Sequence, residues 1–90
     1  MLNTGSFFFD SFPSHVWPPR FGVTVTRKVG GAVVRNRIKR LVREAVRRHK
    51  MWFPAGREVV MVAKGSAAGL GYTDVERELE TLCNRYFARS

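Results

Sequence analysis

The basic residues that could bind a polyanion are concentrated between Arg27 and Lys50. This segment of 24 residues contains ten basic residues and one acid, whereas the rest of the chain has six basic residues and six acids. Four of the cations recur at intervals of four residues: Arg35, Lys39, Arg43 and Arg47. On a helix, like charges at this spacing repel one another, and a bound polyanion removes the repulsion. The pattern therefore favours binding to a polyphosphate over an ordinary solvated surface.

The other side chains that could catalyse a reaction are seven acids and two histidines. Four of the acids lie between Asp74 and Glu80, where their spacing is typical of solvated pairs and not of converging carboxylates that hold catalytic metal ions. His15 lies in a proline-rich loop and His49 borders the apolar side of a helix, so the sequence does not pair two imidazoles for metal-free RNA cleavage. Cys83 is the only cysteine, which excludes an internal disulfide and a CxxC metal site. We therefore expect no catalytic residue and no metal site in the chain.

The basic segment has the period of an amphipathic helix, which we predict from Val33 to Lys50. At roughly 100° per residue, one side is apolar and a second side is cationic. The apolar side consists of Val34, Ile38, Leu41, Val42 and Ala45. Arg37 and Arg48 flank it, with stems that can lie along apolar surface. One side of the helix should therefore pack on a core while the other presents its cations.

A run of phenylalanines near the N-terminus predicts a strand from Ser6 to Phe12. Because side chains alternate along a strand, Phe7 and Phe9 share one face, and Phe8 and Phe12 share the other. One pair can fill the core. The second pair is either covered by protein on the opposite sheet face or offers a stacking surface for unpaired bases, since every base has a π-face.

The remaining pattern predicts two more strands and a second helix. Phe21 to Val29 alternates and predicts a strand with one apolar face, and Gly30-Gly31 then forms a turn that could seat a phosphate before the helix. The valine-rich run Glu58 to Lys64 predicts a strand buried on both faces. A capping-box pattern starting at Thr73 predicts a helix that runs to about Ala88. This order, β-β-α-β-α, indicates a two-layer α/β (α+β) domain built on one small sheet.

Composition limits the class of protein. Ninety residues make one domain, residues 1–90, and a pI near 11.1 points to nucleic acid or an anionic membrane surface. The sequence contains no run of 18 apolar residues, so no segment is long and apolar enough to span a bilayer. The basic helix has mainly Val, Ile and Ala on its apolar side, where a membrane-binding helix would need bulky residues. We expect no signal peptide and, from the single cysteine, a cytoplasmic protein.

The stretch GVTVTRKVGGAVVRNRIKRLVREAVRR, residues 22–48, resembles the signature of the bacterial ribonuclease P protein subunit. The centre of the resemblance is Arg35-Asn36-Arg37, followed by Ile38-Lys39-Arg40 and preceded by a similar strand end, Thr26 to Gly30. The valine-rich strand and the C-terminal helix also follow in the family's order. The clear match covers about a third of the chain.

The resemblance implies a fold similar to a ribosomal-protein domain, with a left-handed βαβ crossover that departs from the usual rule. It also implies that the protein binds a catalytic RNA and assists Mg²⁺-dependent removal of the 5′ leader from precursor tRNA. The RNA performs the hydrolysis and binds most of the Mg²⁺, and we expect one protein per RNA. The residues implied to face RNA are Arg27, Lys28, Arg35, Asn36, Arg37, Lys39, Arg40, Arg43 and Arg47. Phe7 and Phe9 are implied to contact the single-stranded leader.

The sequence departs from the family in one respect and leaves two alternative functions open. Members of the family usually begin with a further basic helix, which forms one wall of the leader cleft, and we expect that helix to be missing here. A general RNA-binding or ribosome-associated protein could use the same cationic side of the helix. A DNA-binding protein is less consistent with the sequence, because there is no helix-turn-helix or zipper pattern.

Overall fold

The computed structural model describes residues 1–17 and 20–87. The strands are β1 (Leu2–Asn3), β2 (Phe7–Pro13), β3 (Phe21–Val25) and β4 (Arg57–Ala63), and the helices are α1 (Ala32–Arg48) and α2 (Tyr72–Tyr86). Short 3₁₀ helices lie at Arg27–Val29, Lys50–Trp52 and Gly65–Gly69. Among these residues, no helix combines the length and the apolar character needed to cross a lipid bilayer.

The strands form one sheet in the order β1-β2-β4-β3. β2 runs antiparallel to both of its neighbours, and β3 pairs in parallel with β4 across the connection that contains α1. This arrangement confirms the predicted single-sheet, two-layer α+β class. The sequence missed β1, because a strand of two residues has no alternation to detect.

Both helices pack on the same face of the sheet and enclose the core. Phe7 and Phe9 of β2 are fully buried there, with Met61 of β4. The helices contribute Ile38, Val42, Ala45, Val75, Leu79, Leu82 and Cys83. Because the chain has one layer of helices, the opposite face of the sheet has no helical cover among the described residues.

This open face overturns one prediction. Val60 of β4 is 39% exposed, so β4 is not buried on both faces. Its residues alternate between the core and the open face, and the continuous apolar run reflects an apolar open face. Phe8 and Phe12 of β2 lie on that same face and are 37% and 49% exposed.

The entry into α1 also differs from the prediction, because the predicted strand runs to Val29 whereas β3 is shorter. β3 ends at Val25, and the chain turns into a 3₁₀ helix in which the Val29 N–H donates to the Thr26 carbonyl at 3.0 Å. Gly30 has φ +151°, and a Cβ there would lie 3.1 Å from the Cβ of Val34. Glycine at this position therefore lets the chain reverse closely against the first turn of α1.

The start of α2 also differs in detail from the prediction. The helix begins at Tyr72, and the backbone N–H of Gly71 donates to the Asp74 carboxylate at 3.0 Å. Gly71 is therefore the N-cap in place of Thr73. The helix ends at Tyr86, and the predicted end at Ala88 lies outside the described residues.

Candidate nucleic-acid interface

Helix α1 is fixed by its apolar side, and this decides where its cations point. Ile38, Val42 and Ala45 are buried against the sheet and α2, as the periodicity predicts. The side chains on the other side form a surface that we call the cationic face. It consists of Arg35, Asn36, Lys39, Arg40, Arg43 and Arg47 of α1, with Arg27 and Lys28 of the preceding 3₁₀ helix.

Most of the cationic face is not neutralised within the protein. Within residues 1–17 and 20–87, several of its side chains form no hydrogen bond or ion pair: Arg27, Lys28, Asn36, Lys39, Arg40 and Arg43. All of these except Lys39, which is half buried, are exposed. Charges held next to one another without partners create a positive potential that attracts polyanions. Binding of RNA by these residues stays a prediction.

Arg35 is held differently from its neighbours. Its side chain is half buried, and its Nε is buried with no hydrogen-bond partner among the described residues. A buried donor without an acceptor is uncommon in native proteins, and a phosphate oxygen would satisfy it. Gly31, which precedes α1, supplies no side-chain cap to the first N–H groups of the helix. A phosphate-binding site at the Gly30-Gly31 turn stays a prediction.

At the C-terminal end of the cationic face, an acid on the same helix pairs with two arginines. The Glu44 carboxylate accepts hydrogen bonds from Nη2 of Arg47 at 2.6 Å and from Nε of Arg48 at 2.7 Å. Both hydrogen bonds lower the pKa of Glu44, and the bond from Arg47 has the larger effect. In turn, Glu44 raises the pKa of both arginines. Arg48 also lies over the Tyr72 ring, 5.1 Å from its centroid. Arg47 is therefore paired in the free protein, unlike Arg43 one turn earlier.

Arg37 has a contact that its sequence position did not indicate. It lies on the side of α1 that faces the 3₁₀ segment Gly65–Gly69. Its Nη2 donates to the carbonyl of Leu70 at 2.6 Å, and its Nη1 lies 3.5 Å from the carbonyl of Ala68. The guanidinium thus joins α1 to the segment that leads into α2. Contact between Arg37 and RNA stays a prediction. The sequence did not indicate that its guanidinium joins two parts of the fold.

The structure corrects the prediction for the phenylalanines. Phe7 and Phe9 are fully buried under the helices, so they cannot stack on an incoming base. The alternation along β2 was right, but the exposed pair is Phe8 and Phe12. The ammonium of Lys64 lies 4.4 Å from the centroid of the Phe8 ring. The open sheet face therefore combines exposed aromatic rings with a cation at one end.

The acids and histidines of the described residues are spread over separate parts of the fold. Among the described residues, no group of three or more His, Cys, Asp or Glu side chains could hold a metal ion. His49 stacks on Trp52 at 3.8 Å, and its Nε2 lies 2.6 Å from Oε2 of Glu76. This hydrogen bond is the main reason that the pKa of Glu76 is lowered. Cys83 is buried, which raises the pKa of its thiol to about 12.

Comparison with known proteins identifies the family. The family model described as Ribonuclease P matches residues 4–87. The chain belongs to this family. The resemblance that the Arg35-Asn36-Arg37 motif indicated is therefore confirmed.

Two curated relatives of the family are each called ribonuclease P protein component. The Syntrophus aciditrophicus protein is 51% identical over 67 residues, which cover 74% of this chain and 56% of that protein. The Desulfovibrio desulfuricans protein is 50% identical over 68 residues, which cover 73% of this chain and 52% of that protein. The chain thus spans about half the length of the curated relatives it matches.

Solved structures of the family have the same fold. The RNase P protein from Thermotoga maritima is 30% identical, with a TM-score of 0.82 over 93% of this chain and 80% of that one. The Staphylococcus aureus RNase P protein also gives a TM-score of 0.82, over 94% of this chain and 78% of that one. At 23% identity, the second likeness supports the fold alone.

Proposed function

We propose that this chain is the protein subunit of ribonuclease P and binds the catalytic RNA through its cationic face. The observation that supports this most directly is the set of unpaired cations on and beside α1, in a chain of this family. The charge of the whole protein, +9, equals the charge of residues 27–50, so the net positive charge lies in the segment that carries the cationic face. Such a surface positions a protein along phosphates without reading base identity.

The mechanism follows from electrostatics. Each cation that contacts a phosphate releases condensed counterions and reduces the repulsion between neighbouring RNA segments. Two RNA molecules, the catalytic RNA and the precursor tRNA, then approach each other at a lower concentration of Mg²⁺. In this proposal the RNA holds the catalytic Mg²⁺ and performs the hydrolysis, and no step involves an ion bound by the protein.

The open sheet face is the part of this chain best suited to the single-stranded leader. Phe8 and Phe12 offer exposed rings, and base–aromatic stacking is tolerant of sequence, as leader recognition requires. Lys64 supplies a cation beside Phe8 for the leader backbone. We propose that these residues take the role that the resemblance implied for Phe7 and Phe9. One protein per RNA and a cytoplasmic location complete the proposal.

Reconstitution with a bacterial ribonuclease P RNA tests it. Adding the protein should lower the Mg²⁺ concentration needed for half-maximal removal of the leader from a precursor tRNA. The double variant Arg40→Gln/Arg43→Gln should lose most of this effect. The matched control, Arg77→Gln/Arg85→Gln, removes two exposed charges from α2 and should keep it.

Two results would contradict the proposal in different ways. If the protein binds the RNA but leader removal keeps its Mg²⁺ dependence, a general RNA-binding protein is the better description. If the two double variants lose the same amount of stimulation, net charge matters and the cationic face does not.

A further inference from the structure

A groove of about 390 Å³ lies beside the C-terminal end of α1 and is not used by the function proposed above. Phe21 of β3, Val46 of α1 and Phe53 form much of its apolar lining, and Trp17 stands at its side. The rings of Phe21 and Phe53 meet edge to face, 6.1 Å apart. The volume is near the lower end of ligand pockets, which span roughly 300–1,000 Å³. It suits one small planar ligand better than a peptide or a helix.

The rim of the groove is basic. Lys50, Arg20 and Arg57 line it, and none of the described residues that line it is acidic. Arg20 forms an ion pair with Glu58, in which its Nη2 lies 3.6 Å from Oε2 of the carboxylate. Arg57 donates hydrogen bonds to Ser11. Lys50 is exposed and has no side-chain partner in the part of the chain that the structure describes. An apolar slot with an available ammonium at its edge is complementary to a base and its phosphate.

The groove is continuous with the cationic face. Lys39, Arg43 and Val46 lie along one side of α1, at intervals of four and three residues, and Lys50 follows in the 3₁₀ helix just past the end of α1. RNA whose phosphates lie on Lys39 and Arg43 would reach Lys50 just beyond the C-terminal end of α1. Trp17, at 83% exposure, is an aromatic surface already available to solvent at that point.

We infer that this groove holds one unpaired nucleotide of the RNA bound to the cationic face. The base lies between the Trp17 ring and the apolar lining, and Lys50 binds its phosphate. The inference rests on the proposed function, because the same RNA occupies both surfaces. It adds a site that recognises an extruded base to a surface that otherwise contacts phosphates.

The test measures binding of the full chain to a bacterial ribonuclease P RNA as a function of salt. Trp17→Ala should weaken binding by about 5- to 150-fold, the range for loss of one base–aromatic stack, without changing the salt slope. Trp17→Phe should restore most of the affinity. Lys50→Gln should flatten the slope of log affinity against log salt by roughly 0.7–0.9. Val33→Ala, which removes an equally exposed apolar side chain from α1, is the matched control and should bind like the wild type.

Fluorescence gives an independent readout. In a Trp52→Phe background, Trp17 is the only tryptophan, and its emission should be quenched when RNA binds. If Trp17→Ala binds within twofold of the wild type and Trp17 is not quenched, the inference is wrong while the proposed function stands. If the wild-type protein shows no salt-dependent binding to the RNA, the proposed function fails and the inference fails with it.

Discussion

Glu44 is the only acid between Arg27 and Lys50, and its replacement by glutamine should strengthen RNA binding. Its carboxylate is bonded to both Arg47 and Arg48, so these three side chains together carry a net charge of +1. Because the arginines lower the pKa of Glu44, the carboxylate is ionised at neutral pH. Glu44→Gln keeps the size of the side chain and releases one positive charge to the RNA.

The magnitude follows from counterion release. One additional phosphate contact should steepen the slope of log affinity against log salt by roughly 0.7–0.9. Extrapolated from 1 M to 0.1 M salt, this corresponds to binding that is about 5- to 8-fold tighter. Filter binding or fluorescence anisotropy with a bacterial ribonuclease P RNA, over a series of salt concentrations, measures both quantities.

Glu80→Gln is the matched control. It makes the same change in net charge on α2, and Glu80 is exposed without a side-chain partner in the described ranges. We expect it to change the slope much less than Glu44→Gln does. Equal effects of the two variants would show that only net charge matters. Weaker binding by Glu44→Gln would refute the reasoning, because it would mean that Glu44 orders the arginines for their contacts.

Two further predictions test the packing. Phe9→Ala should lower the free energy of unfolding by about 3–5 kcal/mol, whereas Phe8→Ala on the open face should cost much less; urea titration compares them, and equal losses would contradict the assignment of faces. Because burial raises the pKa of the Cys83 thiol to about 12, iodoacetamide at pH 8 should alkylate it very slowly in the native protein and quickly in guanidinium. Equal alkylation rates in the two solvents would show that the thiol is accessible.

The central helix and the division between its two sides could be predicted from local sequence. The apolar residues of α1 recur with a helical period, so the buried side and the cationic side are both local properties. The motif Arg35-Asn36-Arg37 also lies within one turn, and this is why the family could be recognised without a structure. The order of β2, β3, α1, β4 and α2 followed from alternation and turn residues in the same way, and β1 was missed.

Which face of the sheet is covered could not be predicted from local sequence. Alternation divides the phenylalanines of β2 into two pairs, but both pairs have the same composition. The burial of Phe7 and Phe9 depends on where α1 and α2 pack, which is a contact between distant parts of the chain. The same reason explains β4, because its apolar run predicts burial on both faces although Val60 is partly exposed.

The individual roles of the cations were also decided in three dimensions. The helical wheel places Arg37 beside the apolar side of α1 with its charge directed to water, yet its guanidinium donates to the carbonyl of Leu70, which is 33 residues away. The groove beside Trp17 brings Arg20 and Phe21 together with residues between Val46 and Val59, so no short window of sequence contains it. Periodicity fixes the direction in which a side chain leaves its own helix or strand, and the partner it meets there depends on the folding of the rest of the chain.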